Sequence, residues 1–200
     1  MSIKDSLIAL AVVLLWGVNF FFIRLGLTEM TPMVLGMLRF MLVVFPAILL
    51  IRKPDVPWRW LMLYGLVISF GQFSLMFTAI AVGMPTGLTA LVLQAQAFFT
   101  VLMAALIWRE PVKPNHWLAL VVAAVGLAMI GIGQHSGNVP LFGLVLVLAA
   151  ALSWACGNLV VKRIGRVNPL ALVVWGNAVA SCLLLCVRFC KVVCTMWRAN

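Results

Sequence analysis

The 49 residues from Trp60 to Trp108, WLMLYGLVISFGQFSLMFTAIAVGMPTGLTALVLQAQAFFTVLMAALIW, contain no charged side chain. A bilayer core about 30 Å thick takes roughly 20 helical residues, and within it every backbone N–H and C=O must be satisfied inside its own segment. The stretch is therefore long enough for two crossings, with Gly83-Met84-Pro85-Thr86-Gly87 as the turn between them. The same reading extends outward in both directions. Toward the C-terminus, 48 uncharged residues from Pro114 to Val161 divide at Gly133 to Pro140 into two further spans, and Asn168-Pro169 opens another that ends near Val187. Toward the N-terminus lie Met30 to Ile51, with Arg39 as its one charge, and Ser6 to Leu27. The expected fold is all-α, a polytopic transmembrane helix bundle of about seven helices. Their expected ranges are 6–27, 30–51, 60–82, 85–108, 115–133, 141–161 and 169–187.

Composition excludes a soluble globule, since 66% hydrophobic and 9% charged residues leave too little polar surface to coat one. The formal net charge of +10 does not point to nucleic acid, because the basic residues form short clusters between apolar runs and no stripe or aromatic-interleaved patch. They read as topology determinants. With a cytoplasmic N-terminus, the inner segments hold Lys4, Arg52, Lys53, Arg59, Arg109, Lys113, Lys162, Arg163 and Arg166, and the outer connections hold only Arg24. Arg188, Lys191 and Arg198 break this pattern. The apolar run from Leu7 to Ile23 exceeds a secretory h-region and lacks a cleavage site, so it reads as a retained first helix.

The chain also echoes itself. Trp16-Gly17-Val18-Asn19 resembles Trp154-Ala155-Cys156-Gly157-Asn158, and Asn19, Arg24 and Gly26 match Asn158, Arg163 and Gly165 at a constant offset of 139. Chance similarity among apolar helices is one reading. The other is an inverted repeat, because a unit of five helices, an odd number, must run the opposite way when repeated in one membrane. On that reading residues 1–133 are a first five-helix repeat, residues 141–187 an incomplete second half, and residues 188–200 an atypical basic and cysteine-bearing tail. Truncation or frameshift is the expected origin of that tail, and a native short tail the alternative.

Arg39 is the most informative single residue. A guanidinium at a helix centre costs about 2.5–3.5 kcal/mol on insertion scales, yet Asp5, Glu29, Asp55 and Glu110 all lie near membrane edges or in connections. Either it snorkels outward toward Glu29, or it forms an anion subsite whose planar fork grips a substrate carboxylate. Trp16, Asn19, Ile23 and Gly26 share one face of the first helix, as do Ser69, Gln72, Met76 and Ala79 on the third. Such stripes either bond helices together or line a central cavity, where Asn19, Gln72 and Asn158 would meet a solute's ammonium and hydroxyl groups. Gln94 and Gln96 lie about 200° apart around a helix, so one reads substrate and the other bonds a neighbour. Glu110, beside Arg109 and Lys113, is either an exposed ion pair or a gate latch. Trp16 and Trp154 suit aromatic or cationic groups. No metal site is expected: His116 and His135 fall at opposite membrane faces, and the ladder Cys182, Cys186, Cys190, Cys194 reads as chance.

Trp16-Gly17-Val18-Asn19-Phe20, Leu38-Arg39-Phe40, the stretch from Ala90 to Phe99 with its two glutamines, Glu110, and Ser153-Trp154-Ala155-Cys156-Gly157-Asn158 together resemble the EamA family of the drug/metabolite transporter superfamily. The resemblance covers roughly residues 1 to 185. It implies two inverted five-helix halves, a cytoplasmic N-terminus in the bacterial inner membrane, and efflux of small amino-acid-like metabolites such as O-acetylserine and cysteine. The departure is the missing last three helices, which puts transport by a seven-helix chain in doubt and leaves a non-functional or regulatory fragment as the alternative. The expected partners are a small zwitterionic solute and the lipid bilayer, with a homodimer open as the assembly and no cofactor. No G-x-x-x-x-G-K-[ST], H-E-x-x-H or G-x-S-x-G occurs, so neither ATP drive within the chain nor intramembrane enzyme chemistry is expected.

Overall fold

The computed structural model describes residues 2–109, 114–133 and 140–198. Its regular structure is helical: α1 (Ile3–Glu29), α2 (Pro32–Leu50), α3 (Trp58–Ala81), α4 (Thr86–Trp108), α5 (Pro114–Gly133), α6 (Leu141–Ile164) and α7 (Pro169–Arg198). Among the described residues α1, α2, α3, α4, α6 and α7 are long and apolar enough to cross a membrane, with Pro169–Val187 as the apolar part of α7. α5 is a helix of 20 residues packed on α4. Local chemistry sets the boundaries. The backbone N–H of Ser2 donates to the Asp5 carboxylate at 3.0 Å, closing the start of α1. Proline opens α2, α5 and α7 at a position where its missing N–H costs nothing. Gly83, at φ +101°, makes the turn after α3, and Gly165, at φ +83°, ends α6 while its N–H donates to the Val161 carbonyl. The helix of α7 continues past Val187 to Arg198, beyond the point where the apolar pattern fades.

α6 is the central pillar. Its Val147, Ala150, Ala151 and Ala155 are fully buried, and these small side chains let α3 and α4 pack close to its axis. α2 packs against α7, where Phe40, Ala180 and Leu184 form a compact cluster. α1 lies at the periphery: Leu7, Ile8, Val13, Leu14, Phe21 and Phe22 are all exposed, an apolar face of the kind that meets lipid or another helix.

α3 is irregular in a way the periodicity did not predict. Residues Gly65–Gly71 are wound as a π-type segment, with bonds reaching one residue further than in an α-helix. Ser153 on α6 donates its hydroxyl to the Val67 carbonyl at 2.7 Å, and Ser69 donates to the buried Asn177 side chain on α7 at 2.8 Å. Glycines on all three helices permit this approach. A Cβ on Gly65 would lie 2.6 Å from the Gly176 carbonyl oxygen and 2.9 Å from Val179 Cβ. α4 is also broken, at Gln94, where the N–H of Gln94 bonds the Leu91 carbonyl and the N–H of Ala97 bonds that of Gln94, a tighter local winding.

Gly65→Ala is therefore expected to lower the stability of the bundle by about 1–3 kcal/mol, because backbone and not a movable side chain blocks the new methyl. Gly17→Ala, with no atom within 4 Å of the added Cβ, should leave stability unchanged or raise it slightly. Thermal unfolding of both variants in one detergent, followed by size-exclusion fluorescence, checks the contrast.

Candidate functional site

Arg39 on α2 points inward, and the partner it finds is neutral. Its Nη1 donates to the Asn19 Oδ1 of α1 at 2.8 Å, and its guanidinium carbon lies 4.8 Å from the centre of the Phe73 ring on α3. Snorkelling toward Glu29 is not what the side chain does. An amide oxygen and an aromatic face partly compensate the desolvated charge, and neither neutralises it.

This half-buried guanidinium lines a cavity of about 540 Å³ between α1, α2, α3, α4 and α6. Trp16, Asn19 and Phe20 come from α1, Tyr64, Ile68, Gln72, Phe73 and Met76 from α3, Leu93 from α4 and Trp154 from α6. The stripe Ser69, Gln72, Met76, Ala79 is the buried face of α3. Gln72 reaches the cavity, and among the described residues its amide makes no side-chain hydrogen bond. The rings of Trp16 and Trp154 stand 5.6 Å apart, tilted by 32°. The two tryptophans that open the repeated motifs thus touch each other across the bundle. Among the described residues the wall offers one cation, two amides and a broad aromatic lining, and no carboxylate.

Five of the residues singled out in the sequence, Trp16, Asn19, Arg39, Gln72 and Trp154, converge here. Three do not. Asn158, a full turn beyond Trp154, donates to Gln96 Oε1 at 2.9 Å and to Thr100 Oγ1 at 3.1 Å, forming a polar weld between α6 and α4. Gln96 is thereby engaged with a neighbouring helix, while Gln94 sits exposed at the break in α4. Glu110 and His135 lie outside the described residues, as does the side chain of His116. Among the described residues no group of His, Cys, Asp and Glu could hold a metal, and Cys182 and Cys186 are exposed. Phe73 and Tyr64 were not legible as site residues, since nothing in an aromatic residue within an apolar run says which way it faces. Thr100 was within reach, being one turn after Gln96.

The model of the EamA-like transporter family matches residues 4–132, more than half of the chain. The chain belongs to the EamA-like transporter family. Among curated proteins, this EamA-like chain is 46% identical over 180 residues to proteins of Salmonella typhimurium strain LT2 and Escherichia coli K12, each named "Probable amino-acid metabolite efflux pump". Those alignments cover 88% of this chain and 60% of each relative. The "Uncharacterized inner membrane transporter YedA" of Escherichia coli K12 is 27% identical over 160 residues, covering 77% of this chain and 52% of that protein. The chain therefore spans about 60% of the length of the first two relatives. No solved structure matches it.

If Asn158, Gln96 and Thr100 act as a weld, Asn158→Leu and Gln96→Leu should each destabilise the bundle. A double-mutant cycle on thermal unfolding should return a coupling of about 0.6 kcal/mol, the usual size of an interhelical side-chain bond in a membrane protein.

Proposed function

We propose that this chain carries the solute-binding part of a secondary exporter of small, amino-acid-like metabolites, with cysteine and O-acetylserine as the first candidates. The observation that carries the reading is the state of Arg39: a cation in the wall of a cavity, held by an amide oxygen and a ring, with no carboxylate beside it among the described residues. Such a group favours an anionic ligand, and its fork can accept both oxygens of a carboxylate. The amide of Gln72 and the faces of Trp16 and Trp154 can then receive an ammonium or hydroxyl group, and Phe20, Ile68 and Met76 the apolar remainder. A zwitterion of a few heavy atoms fits this division of labour and the names of the two nearly half-identical relatives.

The proposed mechanism is alternating access, with α1 to α5 as one five-helix unit and α6 and α7 belonging to a second, inverted one. Contact between Trp16 and Trp154, matching members of the two motifs, supports a pseudo-two-fold axis running between α1 and α6. The excess of basic residues on one set of connections supports a cytoplasmic N-terminus in the inner membrane. Glu110, beside Arg109 and Lys113 in the sequence, is a candidate gate residue on the same reading, and Asn158 with Gln96 would hold α4 to the second unit.

Arg39→Leu, made in a full-length homologue, is expected to abolish efflux of radiolabelled cysteine or O-acetylserine from expressing cells, and in this purified chain to abolish ligand-induced quenching of tryptophan fluorescence. Insertion should stay intact, because the change removes the one charge of α2. Unchanged efflux and quenching would remove the anion subsite. Reporter fusions after Asp55 and after Gly83 should report cytoplasm and exterior respectively, and the same compartment for both would overturn the orientation.

A further inference from the structure

A second cavity, of about 580 Å³, lies at the other end of the α2–α7 pair, between the α2–α3 connection and the α6–α7 connection. Arg52, Lys53 and Arg166 line it against a single carboxylate, Asp55. Among the described residues Arg52, Arg166 and Asp55 make no ion pair, and Lys53 rests its ammonium 4.5 Å from the centre of the Trp58 ring. Three cations thus share the lining with one carboxylate, a net positive wall with no ion pair among the described residues.

The backbone that presents these cations is built, not loose. Pro54 and Val56 are buried, and the N–H of Val56 bonds back to the Pro54 carbonyl at 2.8 Å. The Trp175 indole N–H on α7 donates to the Ile51 carbonyl at 3.2 Å, and the Trp58 and Trp175 rings meet edge to face at 6.2 Å. The α2–α3 connection is thus pinned to α7 beside the cavity. The α7 N-terminus faces it too, but Asn168 Oδ1 already accepts from the Leu170 and Ala171 N–H groups, so the helix end supplies its dipole and few free donors.

We propose that this cavity binds a phosphate-bearing anion, and that its source is the headgroup of an anionic phospholipid. Phosphate offers several oxygens to guanidinium forks and an ammonium, which three cations on two fixed connections can share. The lipid source is favoured by what adjoins the cavity. Leu50 lines its rim, and Leu49, Phe45 and Leu42, each at least 75% exposed, share one face that runs from there along α2, where an acyl chain attached to the phosphate would lie. Trp58 and Trp175 mark the level at which indoles meet headgroups. Free inorganic phosphate would use the same cations and gain nothing from those leucines. The site is separate from the Arg39 cavity and does not depend on what that cavity carries.

The test uses the 200-residue chain in neutral detergent, with native mass spectrometry reading retention of phosphatidylglycerol against phosphatidylcholine, and inorganic phosphate as a competitor. Preferential retention of phosphatidylglycerol is expected, weakened by about five-fold for each of Arg52→Gln, Lys53→Gln and Arg166→Gln. Arg52→Lys with Arg166→Lys should keep most of it, and Lys4→Gln with Arg24→Gln and Arg109→Gln, which removes as much charge elsewhere, should keep all of it. The single and lysine variants report even if the triple glutamine variant fails to fold. Displacement by millimolar inorganic phosphate would support the anion site and overturn the lipid source. Equal retention of the two lipids, or losses no larger than in the charge-matched control, would overturn the site.

Discussion

Hydrocarbon offers a backbone no hydrogen-bonding partner, and this constraint shapes everything else in the molecule. Each chain segment that enters it must close its own N–H and C=O groups, which leaves helices as the form for the long uncharged stretches between Ser6 and Val187. The same solvent removes the usual reason for helices to associate, because lipid tails are as apolar as leucine. Cohesion then falls to close packing and to the few polar groups that can find one another. The alanines of α6 and the glycines of α3, α6 and α7 provide the first, and Ser153 with Val67, Ser69 with Asn177, and Asn158 with Gln96 and Thr100 provide the second.

The π-type winding of α3 belongs to this economy of polar groups. Widening a helical turn strains the regular ladder and frees carbonyl capacity, and the Ser153 hydroxyl takes up what Val67 offers. The irregular segment is also where α3 is clasped most tightly, by Gly176 and Val179 on one side and Ser153 and Gly157 on the other. Directly beyond it, Gln72 and Phe73 enter the central cavity. Local winding, interhelical packing and the shape of the site are thus settled by one stretch of chain.

Arg39 shows the same constraint acting on charge. A guanidinium away from water keeps its charge at a cost, and Asn19 and Phe73 reduce that cost without cancelling the field. A structural ion pair would have silenced it. The neutral partners leave a positive potential directed at the cavity, which is the physical basis of the anion subsite proposed for it. In the basic cavity below α2 the same absence of pairing recurs, with exposed cations on a fixed frame.

By itself the sequence determined that the chain is helical and lipid-embedded, because length without charge is a one-dimensional property and the bilayer responds to it directly. Two helix boundaries followed for the same reason, since Gly83 and the proline opening α7 act through their own backbone, while α2 starts at Pro32 and not Met30, and α6 runs on to Ile164 and not Val161. The convergence of Trp16, Asn19, Arg39 and Gln72 was legible only as faces of separate helices. Tertiary structure alone decided that Arg39 meets Asn19 and not Glu29, that Asn158 turns to Gln96 while Trp154 turns to the cavity, and that Phe73 shares the site. Periodicity says which residues lie on one side of a helix, but the rotation of each helix against its neighbours is set by interlocking shapes, and those arise only when the helices are packed together.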